Sequence, residues 1–283
     1  MWTQDLSPDQ ARQVRDLARQ ARANDGVDPL NEEAYRSLTD QTARHVIFNN
    51  NNVAIGYLNY SVRFATGQFV VHPEHRRRGI GTGLWRQLPS SPPVGLWAFG
   101  DLPAAQGFAA ARGLRPERGL LKMTRPLAAL PQADIPPDLV LRTFTATDAD
   151  ELLALNAAAF THHPEQGQLD QAGLAARLAE PWFDPAGLIL AFDADGMVGF
   201  HWTKQVDAHT GEVYVIAVAP RAQGRGYGKV LLAAGMSHLA TQGLPTVVLY
   251  VDTADQTAVR MYERAGFVTV HRDVRYIPIQ EQE

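Results

Sequence analysis

A short glycine-rich stretch contains residues whose types and spacing could hold a phosphate. Gln223-x-x-Gly226-x-Gly228 follows the apolar run 212–218, in which β-branched and aromatic residues predict a strand. An apolar helical pattern begins at Val230. A glycine turn between a strand and a helix presents backbone N–H groups and a helix dipole, which together attract a phosphate or pyrophosphate.

Two better-known phosphate motifs are excluded by the residues at their required positions. A P-loop needs glycine where Gln223 stands and Ser or Thr where Val230 stands. A dinucleotide-binding fingerprint needs a third glycine where Lys229 stands. The pattern Gln/Arg-x-x-Gly-x-Gly/Ala after a strand instead resembles the acetyl-CoA loop of the GNAT N-acetyltransferase family.

The same pattern occurs earlier in the chain. Phe69-Val-Val-His-Pro73 precedes Arg76-Arg-Arg-Gly79-Ile-Gly81, and in each copy a proline stands three residues before the Arg or Gln. Downstream, Ala111-Arg-Gly113-Leu114 parallels Arg264-Ala-Gly266-Phe267. Two signals that recur in the same order indicate a tandem duplication of one domain.

The duplication and the prolines between the copies divide the chain. Pro126, Pro131, Pro136 and Pro137 stiffen a short segment and remove backbone donors from it. We therefore expect a first domain over 1–126, a linker over 127–137 and a second domain over 138–283. Each is expected to be an α/β domain with a mixed, mostly antiparallel sheet flanked by helices.

The elements around the second loop follow from periodicity and turn residues. A hairpin is predicted over 188–192 and 197–203, and a further strand over 246–251. A helix over 255–265 is expected to be capped by Asp252 or Thr253. The last element is predicted to be a hairpin over 267–277.

Composition excludes several classes of protein. A net charge of −4 gives no overall basic footprint for nucleic acid or an anionic membrane. No apolar run reaches the roughly 18 residues that span a bilayer, and no secretory signal opens the chain. Zero cysteines exclude disulfides, a cysteine nucleophile and thiolate metal sites. We expect a cytoplasmic protein and a monomer.

Glu212 and Tyr262 are the candidate catalytic residues. Alternation places Glu212 on one strand face with Tyr214 and Ile216, where a carboxylate must be solvated, paired or functional. It is either a strand-end residue that reaches water or a general base that takes the proton of an attacking amine. Tyr262, on the last helix, is either an ordinary core tyrosine or the acid that protonates a departing thiolate.

The first copy provides an internal comparison. Aligning Pro73 with Pro220 puts Ala65 where Glu212 stands, and aligning the later glycines puts Ala109 where Tyr262 stands. The first domain therefore keeps a phosphate loop without either catalytic candidate, and we expect it to be catalytically silent. Adjacent histidines on a loop rarely converge on one ion, so no metal site is expected at His162 and His163.

Longer strings narrow the resemblance to the mycothiol synthase family of tandem GNAT proteins. They cover nearly the whole chain and comprise Gly56–Leu58, Val70–Pro73, His163–Gly167, Trp182–Leu190, Gly199–Lys204, Gly211–Val215, Leu249–Val251 and Ala258–Tyr262. That family uses acetyl-CoA, without a metal, to acetylate the cysteinyl amine of cysteinyl-glucosaminyl-inositol, which completes mycothiol. The resemblance thus implies acetyl-CoA as cosubstrate and an amino-thiol sugar as the small-molecule partner.

The resemblance also implies roles for individual residues. Glu212 matches the family's base and Tyr262 its acid. Its substrate contacts fall on Glu32, Glu165, Lys204, Glu212 and Tyr250. Its cofactor contacts fall on Ile216, Ala217, Val218, Gln223, Gly224, Arg225, Gly226, Tyr227, Gly228, Lys229, Asp255, Gln256, Thr257, Ala258, Val259 and Arg260, and in the first domain on Phe69, Val70 and Val71. The repeated loop pattern adds Arg76, Gly79 and Gly81 as cofactor candidates in the first domain. Gln256 departs from the family, which commonly has Asn there.

Two alternatives stay open at this point. The acetyl acceptor could be an aminoglycoside, a polyamine or a protein N-terminus, because nothing in the composition separates these amines. The chain could also be an acyl-CoA-binding regulator without catalysis, although the presence of Glu212 and Tyr262 in one copy argues against this. For Glu32 to contact the substrate, the substrate cleft would have to lie between the two copies.

Overall fold

The computed structural model describes residues 2–130, 133–161 and 166–279. By its contacts the chain forms two compact units. The first contains Met1–Leu120, Asp252–Ala254 and the chain from His271, and the second contains Leu121–Val251 and Asp255–Val270. The domain boundaries at 1–126, 127–137 and 138–283 divide the chain by its repeat rather than by its contacts, and they stay predictions.

The first unit is a mixed sheet covered by helices. Its strands follow the order β1-β2-β3-β4-β11-β5, with β3 and β4 parallel and the pairs β1–β2, β2–β3 and β4–β11 antiparallel. The strands are β1 (Arg44–Asn50), β2 (Val53–Ser61), β3 (Thr66–Val71), β4 (Gly95–Ala98), β5 (Leu114–Pro126) and β11 (Val268–Pro278). The helices are α1 (Pro8–Asp25), α2 (Glu32–Asp40), α3 (Ile80–Trp85) and α4 (Pro103–Ala110).

The start of α1 shows how the sequence defines a helix. Ser7 accepts the Gln10 N–H while the Gln10 side chain accepts the Ser7 N–H, and Pro8 occupies the first helical position. Gly26, with φ of 74°, ends the helix in a left-handed conformation. Val14 and Leu17 lie on the face that the sheet buries.

The second unit repeats this plan. From β5, whose second half belongs here, the strand order is β5-β10-β9-β8-β7-β6. Its strands are β6 (Val140–Thr143), β7 (Leu188–Asp193), β8 (Gly196–Gln205), β9 (Thr210–Val218) and β10 (Thr246–Asp252). Its helices are α5 (Ala149–Ala159), α6 (Gln171–Leu178), α7 (Tyr227–Thr241) and α8 (Gln256–Arg264).

Two predictions about the C-terminal region are wrong. The expected hairpin over 267–277 is one strand, because Asp273 is buried, accepts the Gly100 N–H at 2.7 Å, and is followed by residues that pair with β4. The cap of α8 is neither Asp252 nor Thr253. Asp255 caps it, since its Oδ1 accepts the Ala258 N–H at 2.9 Å.

The core of the second unit contains a histidine on β8. His201 is fully buried, and its Nδ1 lies 2.8 Å from the Leu231 carbonyl oxygen. Burial lowers the pKa of His201 from 6.5 to about 4. The imidazole therefore stays neutral in the folded chain at pH values where it is protonated in the unfolded chain.

This burial predicts an acid sensitivity of folding. Because the unfolded state binds the extra proton, stability falls as the pH drops from about 6.5 towards 4, by about 2 kcal/mol between pH 7 and pH 5. Urea unfolding of wild type and His201→Asn at both pH values measures it, since asparagine can still donate to Leu231 but does not titrate. An equal loss of stability in both proteins would contradict the prediction.

In the ranges that the structure describes, no helix has both the length and the apolar character needed to cross a membrane.

Candidate functional site

The two parallel strands at the middle of the second unit separate along their length. β9 and β10 pair only at Thr210–Thr246, Gly211–Val247 and Glu212–Val248, although both strands continue beyond these residues. Past Glu212 the backbone of β9 therefore has no ladder partner on β10. The opening lies between the strand that carries Glu212 and the strand that carries Tyr250.

A β-bulge in β9 lies at Tyr214, two residues after Glu212. Glu212 is opposite Lys204 and Val213 opposite Thr203, but the next pair is Val215 with Trp202, so Tyr214 is the extra residue. Glu212 is half-buried. Its position opposite a lysine puts a carboxylate and an ammonium on the same face of the sheet, next to the opening.

Two aromatic rings hold the Lys204 side chain. Its Nζ lies 4.7 Å from the centroid of the Trp182 ring and 5.2 Å from that of Tyr214, which are cation–π distances. The Tyr214 hydroxyl in turn accepts a hydrogen bond from Arg177 Nε at 3.1 Å. Trp182 and Tyr214 are functional candidates that the sequence does not single out, although Trp182 opens one of the strings that carry the family resemblance.

The Gln223–Lys229 loop forms the nest that its glycines predict. Gly224 and Gly226 have φ of 78° and 85°, a left-handed region that favours glycine. Within the described ranges, the N–H groups of residues 224–228 donate to no other part of the chain. Five backbone donors at the start of α7 therefore remain available to an anion.

The first unit builds the same loop from different residues. Arg77 and Gly79 have φ of 62° and 83°, at the positions that Gly224 and Gly226 occupy in the second copy. The Arg76 guanidinium makes two hydrogen bonds to the Asp25 carboxylate, at 2.8 and 2.6 Å, and a third to the Val71 carbonyl oxygen. These bonds hold the pKa of Asp25 below its ordinary value.

The helix start after each loop packs in the same way against the preceding strand and against the last helix of its repeat. A Cβ at Gly228 would lie 3.4 Å from the Met261 sulfur and 3.7 Å from Val218 Cγ2. A Cβ at Gly81 would meet Phe108 and Val71, the residues at the matching positions, at 3.7 and 3.9 Å. Phe69 also packs against this contact in the first unit, and Val70 is buried.

Tyr262 lies in the core cluster that α8 forms with β9 and β10. Its ring is buried and makes an edge contact with Phe267 at 5.8 Å. Within the described residues, no hydrogen bond reaches its hydroxyl. Burial, with a smaller contribution from the Asp255 charge, raises the pKa of Tyr262 well above its ordinary value of 10.0. The hydroxyl is therefore protonated at neutral pH.

Because of the bulge, the sequence alignment of the two copies is shifted by one residue at Glu212. β3 has no bulge, and counted from the equivalent pairs Gly56–Val71 and Gly199–Val218, the counterpart of Glu212 is Thr66. Ala65, which the sequence alignment put there, lies in the turn before β3 with φ of 47°. The first unit still has no carboxylate at this position.

The remaining substrate candidates lie in different parts of the chain. Tyr250 is on β10 past the point of separation, with Lys122 Nζ 5.5 Å from its ring centroid. Glu32 is the first residue of α2 in the first unit, where it pairs with Arg36 at 3.0 Å. Glu165, His162 and His163 lie outside the described residues.

The cofactor candidates on α8 and the loop differ in what their side chains contact. Asp255, Gln256, Thr257 and Arg260 are exposed at the start of α8, Ala258 is partly buried, and Val259 is buried. On β9, Ile216 and Val218 are half-buried and Ala217 is buried. The Tyr227 ring is buried against the core, and its hydroxyl donates a hydrogen bond to Asp138.

No group of three or more histidine, aspartate or glutamate side chains in the described ranges could hold a metal ion.

Comparison with known proteins identifies the family. The model of the acetyltransferase (GNAT) family matches residues 11–88 and 150–267, which confirms the predicted duplication. The chain is 43% identical to the mycothiol acetyltransferase of Propionibacterium freudenreichii, covering 96% of this chain and 90% of that protein. It is also 43% identical to the protein of that name from Thermomonospora curvata, covering 98% of this chain and 96% of the relative.

Solved structures show the same tandem fold. A GCN5-related N-acetyltransferase from Sphaerobacter thermophilus matches with a TM-score of 0.74 at 23% identity, covering 99% of this chain and 97% of that one. A tandem GNAT protein from the clavulanic acid biosynthesis pathway matches with a TM-score of 0.72 at 17% identity, covering 96% of each chain. The predicted α/β fold of two GNAT regions is confirmed, and the chain belongs to the GNAT family of N-acetyltransferases.

Proposed function

We propose that this chain transfers an acetyl group from acetyl-CoA to the cysteinyl amine of cysteinyl-glucosaminyl-inositol, which forms mycothiol. The observation that carries the choice of acceptor is the 43% identity, over nearly the full length, to proteins named mycothiol acetyltransferase. The geometry of the second unit supports the reaction, because Glu212 lies at the strand opening, an anion-binding nest follows the same strand, and α8, which carries Tyr262, contacts the start of α7.

The residues of the second unit fit acetyl-CoA. The N–H groups of residues 224–228, which donate to no other described residue, and the Lys229 ammonium suit its pyrophosphate. The unpaired edge of β9 from Ile216 to Val218 can pair with the amides of an extended pantetheine arm. When bound, acetyl-CoA supplies an acetyl group activated as a thioester.

Glu212 is proposed as the general base. An amine attacks a carbonyl carbon through its lone pair, so the ammonium form must lose a proton before or during attack. The Glu212 carboxylate accepts that proton directly or through one water, as the new C–N bond forms and the C–S bond breaks. Backbone N–H groups near Val218 would stabilise negative charge that develops on the carbonyl oxygen.

Tyr262 is proposed to deliver a proton to the sulfur that leaves. Its buried hydroxyl is protonated at neutral pH, as a proton donor must be. The residue before Tyr262 on α8, Met261, is the one that lies against Gly228 at the start of α7. The ammonium form loses two protons in all, one to Glu212 and one to water, and Tyr262 gives one to the sulfur, so the reaction releases one proton overall.

The acceptor is proposed to lie over the face of β8 and β9 that carries Lys204 and Glu212. Lys204, fixed by the Trp182 and Tyr214 rings, can donate hydrogen bonds to sugar hydroxyls. Tyr250 lies on the other side of the opening, and Glu32 and Glu165 stay proposed contacts. The first unit, with Thr66 and Ala109 at the two catalytic positions, is proposed to be catalytically silent.

The test follows both products. Purified protein is mixed with acetyl-CoA and cysteinyl-glucosaminyl-inositol, and CoA release and acetylated acceptor are quantified by mass spectrometry. We expect one acetyl group per CoA released, in an amide that resists mild hydroxylamine. Glucosaminyl-inositol, which lacks the cysteinyl amine, is the matched control acceptor and should not be acetylated.

Two results would contradict the proposal. Absence of turnover on cysteinyl-glucosaminyl-inositol, with CoA still bound, would reject this acceptor and favour another amine. CoA binding without turnover on any amine, including aminoglycosides, polyamines and peptide N-termini, would favour the non-catalytic regulator instead.

A further inference from the structure

The Arg225 side chain in the middle of the phosphate loop points to carboxylates. Its Nη2 donates to Asp138 Oδ2 at 2.9 Å and its Nη1 to Asp193 Oδ2 at 3.3 Å. The guanidinium carbon also lies 4.9 Å from the centroid of the Tyr227 ring. A cation within a phosphate-binding loop is usually expected to contact the phosphate, but here two acidic side chains engage it.

Asp193 and Asp138 each bind two points of the loop region. Asp193, whose side chain is 6% exposed, also accepts both Nη groups of Arg221 at 3.0 and 3.2 Å, just before the loop. Asp138 Oδ2 accepts the Tyr227 hydroxyl at 2.9 Å, just after it. Arg225 is bound by both, so the two carboxylates connect the start, middle and end of the nest.

Asp138 adjoins the proline-rich segment, which the sequence predicted to be a linker. Ala133, Asp134 and Pro136 of that segment line a cavity of about 400 Å³ together with Arg225 and Lys229. The segment between the two repeats therefore forms one wall beside the loop. Asp134 is an acidic residue of this lining, and among the described residues no hydrogen bond joins it to the loop.

We propose that Asp138 and Asp193 form a carboxylate clamp on Arg225 that holds the nest in its anion-binding shape. Asp138 and Asp193 are thus positioning residues for the cofactor, and Arg225 contributes its backbone N–H rather than its charge. This inference depends on the proposed binding of acetyl-CoA to the second unit. It assigns a role in cofactor binding to the end of the segment that joins the repeats.

Whether a substitution at Asp138 or Asp193 tightens or weakens CoA binding distinguishes a positioning role from a purely electrostatic one. Removing a negative charge near a bound pyrophosphate should tighten binding if charge alone matters. It should tighten binding further if Arg225 is thereby released to contact the phosphate. If the clamp shapes the nest, the same change should weaken binding, because the five N–H groups lose their fixed geometry.

The experiment measures binding of CoA to the full chain by calorimetry, without an acceptor. We expect Asp138→Asn to raise the Kd by about 3-fold, as for an exposed ion pair, and Asp193→Asn by about 5-fold because it holds two arginines. Asp134→Asn is the matched control, since it removes the same charge from a residue that lines the cavity beside Arg225. Its Kd should equal or fall below that of wild type.

A double variant tests whether Asp138 affects CoA binding through its partners Arg225 and Tyr227. In Arg225→Gln/Tyr227→Phe, both partners of Asp138 are gone, so adding Asp138→Asn should not weaken CoA binding further. Kd values for Asp138→Asn and Asp193→Asn at or below wild type would overturn the clamp, provided that their thermal unfolding is unchanged. Failure of wild type to bind CoA would instead overturn the proposed function. CoA binding without turnover on the tested acceptor would leave the clamp standing.

Discussion

Replacing Glu212 with glutamine is expected to lower kcat for amine acetylation by about 100-fold or more, as for loss of a general base. Glutamine has nearly the same shape and can still face Lys204 across the strand pair, but it cannot accept a proton. The Kd for CoA should stay near that of wild type, because Glu212 precedes the unpaired segment of β9 and the nest. Stopped assays of product formation at saturating substrates, with calorimetry for CoA, separate the two quantities.

The internal repeat supplies the control for this variant. Thr66→Val changes the structurally equivalent position in the first unit and should leave kcat near that of wild type. Glu212→Asp keeps the carboxylate but shortens its reach, so its activity should fall between those of wild type and Glu212→Gln. A Glu212→Gln variant with kcat within about 3-fold of wild type would reject Glu212 as the base, since base catalysis contributes far more.

The sequence identifies Glu212 but not its structural counterpart Thr66 in the first unit. Glu212 was found because it stands in a strongly β-forming run before a glycine loop, a local signal. Its counterpart was misplaced by one residue, because the bulge at Tyr214 lengthens β9 relative to β3. A bulge is a property of the pairing between two strands, and neither strand reveals it alone.

The phosphate loops were predicted more completely than the contacts that support them. Gly224 and Gly226 indicate left-handed backbone directly, since glycine adopts it without steric cost. Arg77 adopts the same conformation without being glycine, and only the repeat could suggest it. In the clamp, Arg225 is 87 positions from Asp138 and 32 positions from Asp193. Periodicity and turn residues carry no signal over such separations.

Contacts between residues far apart in the sequence also explain the wrong prediction for β11 and the unpredicted neighbours of Lys204. The strand β11 was predicted as a hairpin, whereas burial of Asp273 and its bond to Gly100, a residue far away in the sequence, keep the segment extended. Lys204 was predicted to contact substrate, but its aromatic neighbours Trp182 and Tyr214 come from other elements. The monomeric state and the cytoplasmic location stay predictions.

Replacing Tyr262 with phenylalanine is expected to lower kcat by about 10- to 100-fold, which is less than loss of the base, because a thiolate leaves more readily than an alkoxide. Phenylalanine keeps the edge contact with Phe267 and the packing of α8. No described residue hydrogen-bonds to the hydroxyl, so its removal should cost little stability. A fall in kcat with unchanged thermal unfolding therefore reports on chemistry.

A change of leaving group tests the role of that hydroxyl. Acetyl-seleno-CoA has a more acidic leaving group that needs less help from a proton donor, so the ratio of wild-type to Tyr262→Phe rates should shrink towards one. A purely structural tyrosine would give the same ratio with both donors. Tyr276→Phe is the matched control, because Tyr276 is also buried but its hydroxyl binds Asp101 at 2.6 Å in the first unit. If Tyr262→Phe is as active as Tyr276→Phe on acetyl-CoA, the proton must reach the sulfur from solvent instead.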